Sequence, residues 1–250
     1  MTELWRRISA VQPSPSPGLV ALTALLALVL VVQPAAWRWT RILVTITHEG
    51  GHATAAILSG RRLRGIRLHS DTSGLTLSSG RPSGPGMVVM LMAGYLGPAM
   101  VGLGAAGLLL VGRGLGLLWL FVALLAVMLV QIRNFFGFLA VIGVGVALGL
   151  VSWFLPPDLQ AALAYLLTWM LLLAAPKPVL ELIGQRRRPR TRPSVGHTAP
   201  RSDVDQLAAL TRTPAWAWLG LFLVANLAGL ALGISLLLPA LAELIMSLIS

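Results

Sequence analysis

Residues 42–54 read Ile42-Leu43-Val44-Thr45-Ile46-Thr47-His48-Glu49-Gly50-Gly51-His52-Ala53-Thr54, and this stretch decides how the rest of the chain is read. It lies within a long apolar segment, so a helix is expected. Two histidines four positions apart on a helix share one face about one turn apart, the spacing of two ligands to one zinc ion. Glu49 directly follows the first histidine, where it can take a proton from an attacking water. Three ionisable side chains so close together in a membrane helix cost several kcal/mol unless they are paired or metallated.

The surroundings of this stretch establish the membrane. Of 250 residues, 56% are hydrophobic and 11% charged, against about 25% charged in a typical soluble domain. Seven apolar segments are expected, at 18–33, 40–59, 87–111, 115–132, 136–155, 159–182 and 215–238, most of them reaching or approaching the roughly 18–20 residues that cross a bilayer core as a helix. The expected architecture is an all-α polytopic membrane protein, one membrane-embedded domain over 1–250, with a small β-hairpin at the cytoplasmic side. No cleavable signal peptide is expected, because the first apolar run follows Pro13, Pro15 and Pro17 and ends at Gln33-Pro34.

The net charge of +11 does not point to nucleic acid, because the arginines fall in the gaps between apolar runs. With seven crossings, fifteen arginines, from Arg6 and Arg7 through Arg61, Arg133 and Arg186 to Arg212, share one side, and Arg38, Arg41 and Arg113 take the other. The positive-inside rule then makes the first side cytoplasmic, the N-terminal tail 1–17 included, in a multi-pass protein of the cell membrane. Residues 61–85 are polar. Within them Ile66-Arg67-Leu68-His69 and Leu75-Thr76-Leu77-Ser78 alternate around Ser73-Gly74, which predicts a hairpin over 66–78. Residues 184–213 are rich in Arg and Pro and read as a cytoplasmic loop; the Arg run at 186–192 reads chiefly as a topology signal.

A catalytic zinc site has three protein ligands and one open position. With no cysteine in the chain, a metal must use His, carboxylate or amide ligands, and the third is expected to be an acid or amide near the cytoplasmic side. Glu181 at the end of the sixth segment, Asn134 before the fifth, and Asp203 or Asp205 in the Arg-rich loop are the candidates. Each has an ordinary alternative: Glu181 as a helix-end carboxylate beside the Arg run, Asn134 and Asp203 as helix caps. Glu3, Asp71, Asp158 and Glu243 read as loop or tail residues, and His69 and His197 as solvated. Gly50 and Gly51 fit either close helix packing or the approach of a substrate chain.

On these residues the chain resembles the site-2 protease class of intramembrane zinc metallopeptidases. His48-Glu49-Gly50-Gly51-His52 in a membrane helix, a hairpin at 66–78, and Ala93-Gly94-Tyr95-Leu96-Gly97-Pro98 opening the next helix follow that order over residues 40–111. Ser202-Asp203, then Leu207-Ala208 and Thr211-Arg212-Thr213-Pro214, is similar to the cytoplasmic segment of a less-studied bacterial branch. The resemblance implies a zinc-dependent peptidase acting in or near the membrane-spanning segments of protein substrates, with His48 and His52 as ligands of Zn2+ and Glu49 as general base. The class takes its third ligand from a Leu-Asp-Gly motif that this chain lacks, and Glu181 is the preferred substitute as a carboxylate at a membrane-helix end. Expected partners are a membrane protein substrate and the lipid bilayer, with no nucleic acid. The alternative is a non-catalytic membrane zinc protein that holds or regulates membrane clients; only an enzyme would depend on Glu49.

Overall fold

The computed structural model describes residues 2–187 and 202–238. The middle of the expected 184–213 loop, His197 and Glu243 lie outside the described residues. In chain order the elements are α1 (Thr2–Ser9), α2 (Pro17–Val32), α3 (Pro34–Leu58), β1 (Arg62–Leu68), β2 (Gly74–Ser79), α4 (Pro85–Leu110), α5 (Gly114–Gln131), α6 (Phe135–Phe154), α7 (Pro157–Ala174), α8 (Lys177–Arg187), α9 (Asp203–Thr211) and α10 (Ala215–Leu237).

Among the described residues, five helical stretches are long and apolar enough to cross a membrane: α4, α5, α6, α7 with α8, and α10. α2 and α3 together make a sixth candidate, bent by 103°. The expected seven crossings are therefore not all found. The reason lies in the first two segments. α2 has 16 residues, about 24 Å of helix against a hydrocarbon core of about 30 Å. α3 contains Arg38, Arg41, His48, Glu49 and His52. The break between them is built into the sequence. Gln33 ends α2 and caps α3, accepting from the Ala36 backbone N–H at 2.6 Å, and Pro34 opens α3 with no N–H to lose. The Lys177 ammonium donates to the Val31 carbonyl near the end of α2 and sits 4.2 Å above the Trp37 ring, which ties the bend to α8.

α1 packs on the start of α5. Arg113 donates to the Ser9 carbonyl, the Gln12 amide carbonyl accepts from the Leu115 backbone N–H at 2.8 Å, and the Gln12 backbone N–H donates to the Gly112 carbonyl at 2.8 Å. The hairpin lies at the other end of α5. There the Arg133 backbone N–H donates to the Ile66 carbonyl at 2.9 Å, so the length of α5, about 27 Å for its 18 residues, separates α1 from the hairpin.

β1 and β2 form an antiparallel two-stranded sheet, with an irregularity between Leu63 and Gly65. The turn is not at Ser73-Gly74 as expected but spans His69 to Ser73. Asp71 Oδ1 accepts from the Ser73 backbone N–H at 2.9 Å and Ser73 Oγ at 2.7 Å, and Thr72 takes a left-handed conformation with φ 64°. These bonds hold the exposed Asp71 carboxyl below the usual carboxylate range. The main core draws buried side chains from α2 through α7 and from β1, with Trp169, Leu117, Leu118 and Ala164 among its most deeply buried. A second cluster of Leu91, Val179, Val204, Leu207, Leu219 and Phe222 joins α4, α8, α9 and α10. Exposed apolar side chains along α6, such as Leu139, Val146 and Leu150, fit a lipid-facing helix.

Candidate metal centre

α3 packs antiparallel to α4 at very close range. A Cβ on Gly51 would collide with the Ala93 carbonyl of α4, and one on Gly94 would fall against the imidazoles of His52 and His48. Gly51 is therefore a packing glycine. Gly94 leaves the space in which both rings turn toward one point. Gly50 meets nothing and faces a separate apolar cavity of about 600 Å³ on the opposite side of α3.

Asp203 completes the convergence. Nε2 of His48 and Nε2 of His52 are 3.1 Å apart, and Asp203 Oδ2 lies 3.1 Å from the His52 atom and 3.3 Å from the His48 atom. Ligands about 2.0–2.1 Å from a tetrahedral zinc lie about 3.3–3.4 Å from one another. The triangle is close to one face of that tetrahedron, so the donor set fits zinc in kind and in spacing. The His52 ring is already oriented. A carbonyl only accepts, so Nδ1 must carry the proton it gives to the Met90 carbonyl at 2.7 Å, which leaves the Nε2 lone pair facing the other two donors. The edge of one ring meets the face of the other between His48 and Tyr95, with centroids 5.1 Å apart, and Tyr95 stacks on Phe222.

Asp203 is carried on α9, a short helix that is not one of the membrane-spanning candidates. Ser202 caps α9, accepting from the Asp205 backbone N–H at 3.2 Å and donating to Asp205 Oδ2 at 2.7 Å. Arg186 of α8 pairs with Asp205 Oδ1 at 2.5 Å. Burial raises the Asp205 carboxyl, but its bonds to Ser202 and Arg186 hold it below its ordinary value. Val204 and Leu207, both fully buried, press α9 onto the second core cluster. Burial likewise pushes the Asp203 carboxyl up, but hydrogen bonds and charge from the two imidazoles outweigh it and hold the group well below the usual carboxylate range.

Glu49 is buried beside this group. Its Oε2 accepts from Thr76 Oγ1 of β2 at 2.6 Å. Glu49 and His48 share a cavity of about 210 Å³ with Arg41, Thr45, Gly74 and Tyr95.

The other expected third ligands lie elsewhere. Glu181, the preferred one, is not in the three-donor group. Its Oε1 accepts from Trp37 Nε1 at 2.8 Å and its Oε2 pairs with Arg41 at 3.3 Å, so both oxygens are engaged away from the histidines. Asn134 spends its side-chain amide on β1, accepting from the Leu68 backbone N–H at 3.1 Å and donating to the Leu68 carbonyl at 2.6 Å. It stands at the start of α6 without capping it through its side chain. His69 bonds to Ser73 within the hairpin turn. Thr76, Met90 and Tyr95 were not singled out by sequence. Thr76 and Met90 contribute through contacts across the fold, and only Tyr95 had a local signal, its place in the Ala93–Pro98 stretch.

A family model for M50B-like peptidases matches residues 21–233. The chain belongs to the peptidase M50B-like family. No curated protein and no solved structure matches it. The match runs from α2 to α10 and so takes in all three converging donors, Glu49 and the hairpin. This M50B-like chain is mostly helical and a multi-pass membrane protein, consistent with the site-2 protease resemblance of its motifs.

Proposed function

We propose that the chain is a zinc-dependent intramembrane peptidase, hydrolysing peptide bonds in or near the membrane-spanning segments of protein substrates. His48, His52 and Asp203 hold the metal and Glu49 is the general base. The observation that supports this most is the convergence of His48, His52 and Asp203 at zinc-like spacing next to the buried Glu49, in a member of a peptidase family. Bound zinc supplies Lewis-acid polarisation of a carbonyl oxygen and brings the pKa of a water to about 7. The chain's own residues do the rest. Thr76 fixes Glu49 through Oε2, leaving Oε1 to take a proton from the attacking water and pass it to the leaving amine. β2 pairs with β1 on one edge and runs beside Glu49. An unwound substrate segment adds along its other edge as a strand, which presents the scissile bond in extended form.

Purified protein is expected to hold about one zinc per chain. Chelation should abolish cleavage of a membrane-spanning reporter, and added zinc should restore it. Full cleavage by metal-free protein would overturn the assignment.

The same reading carries a topology. With α2 and α3 as one broken span, there are six crossings, and α1 sits on the side opposite the hairpin and α9. Among the described residues, nine arginines, including Arg61, Arg133 and Arg186, lie at the hairpin end, against Arg6, Arg7 and Arg113 at the α1 end. The hairpin and α9 are then cytoplasmic and α1 is not, which reverses the expectation from seven crossings. The chain has no cysteine, so single reporters are clean. Ala10→Cys should react with a membrane-impermeant maleimide in intact cells, while Ser83→Cys should react only after lysis. The opposite pattern would restore the cytoplasmic tail.

A further inference from the structure

Arg41 and Glu181 remain outside the proposed chemistry, yet both line the cavity that His48 and Glu49 share. Arg41 lies seven positions before His48 on α3, so the two are on the same face and about 10 Å apart along the axis. In an extended substrate that distance is about three residues. The donors and acceptors at this end of the cavity do not balance. Glu181 has both oxygens taken, Oε1 by Trp37 and Oε2 by Arg41. Arg41 has five N–H donors to give, and among the described residues its recorded side-chain partner is one oxygen of Glu181, at 3.3 Å. Gln185, also lining the cavity, adds an exposed amide. Glu181 thus engages the guanidinium through one oxygen and leaves most of its donors for other partners in the cavity that Arg41 lines.

Building on the peptidase reading, we propose that Arg41 is a specificity-determining residue that binds a substrate carboxylate about three residues from the scissile bond. The carboxylate belongs either to an Asp or Glu side chain or to the C-terminus of the substrate. A neutral side chain at that position would leave the guanidinium's donors without partners in a partly desolvated cavity. Loss of a hydrogen bond to a charged group costs about 1.5–3 kcal/mol, roughly 10- to 150-fold in affinity. A basic side chain would be repelled as well.

The probes are short peptide hydroxamates that anchor on zinc and extend to either side of it. They carry Glu or Gln at each of the first four positions and end in a free carboxylate or an amide. Binding is measured on zinc-loaded full-length protein in detergent, for the unchanged chain and for Arg41→Gln and Arg41→Lys. The expected result is that one Glu position, or the free C-terminus, binds about tenfold or more tightly than its neutral counterpart. That preference should vanish in Arg41→Gln and partly return in Arg41→Lys, with zinc content unchanged in both. Which series shows it separates a side chain from a C-terminus. Equal binding of acidic and neutral probes, or a preference that survives Arg41→Gln, overturns the inference while leaving the zinc reading intact. A chain that holds no zinc and binds no hydroxamate removes the peptidase reading and this inference together.

Discussion

Asp203→Ala is expected to leave the chain folded in the membrane but to strip it of stoichiometric zinc. Among the described residues, Asp203 Oδ2 is the one carboxylate oxygen within 3.3 Å of both histidine Nε2 atoms, and two imidazoles alone are two ligands short of a tetrahedron. Affinity should fall by more than the roughly 10- to 100-fold that follows loss of a residue merely supporting a ligand. Cleavage should fall with it. The informative control is Glu181→Gln, because Glu181 is the acid the sequence favoured as third ligand and lines the cavity that His48 and Glu49 share. Its two oxygens bond to Trp37 and Arg41, so its loss should loosen α3 from α8 and leave zinc bound. Metal analysis of the two variants beside the unchanged chain decides between them. If Glu181→Gln loses the metal and Asp203→Ala keeps it, the ligand assignment proposed above is wrong.

Glu49→Gln should give the reverse separation: zinc retained at about one per chain, and hydrolysis reduced by about 10²- to 10⁴-fold, the usual contribution of a general base. Gln preserves the shape of the side chain, and Thr76 Oγ1 can still donate to its amide oxygen, so the hairpin contact survives. What is lost is the acceptor for a water proton. The measurement is single-turnover cleavage of a reporter alongside metal content. Unimpaired cleavage by a zinc-loaded Glu49→Gln chain would move the base elsewhere, whereas a zinc-loaded unchanged chain that cleaves nothing would favour the non-catalytic alternative.

These two variants mark how far local sequence reaches. The helical face of His48 and His52, the hairpin between the two close-packed helices and the break at Gln33-Pro34 are properties of short segments. Periodicity, turn residues and a proline at the first helical position declare them. The third donor is different in kind. Glu181 and Asp203 are both acids near the same end of the protein, and apolar periodicity does not rank them. Trp37, 144 positions from Glu181, engages one and the histidines meet the other. One local signal did exist. Ser202 followed three positions later by Asp205 makes a capping box, so Ser202 is the cap and Asp203 falls inside the first turn. The number of crossings was also out of reach, because an apolar count treats α2 and α3 as two spans, whereas Lys177 of α8 ties their 103° bend by contacting Val31 on one side and Trp37 on the other. Asn134 teaches the same lesson, since its bonds to Leu68 cross 66 positions of chain.

The separation of Asp203 from His52 by 151 positions has a consequence for biosynthesis. At roughly 5–20 residues per second, the ribosome finishes the imidazole pair about 8–30 seconds before it reaches the aspartate. Throughout that interval the nascent chain is threading its remaining helices into a bilayer crowded with other newly made membrane proteins. On the assignment proposed here, it does so with only half a metal site. On the same assignment, hydrolytic competence would arrive only after the α7–α8 stretch has been synthesised, and the polypeptide would be harmless to its neighbours, and to itself, while it is being born.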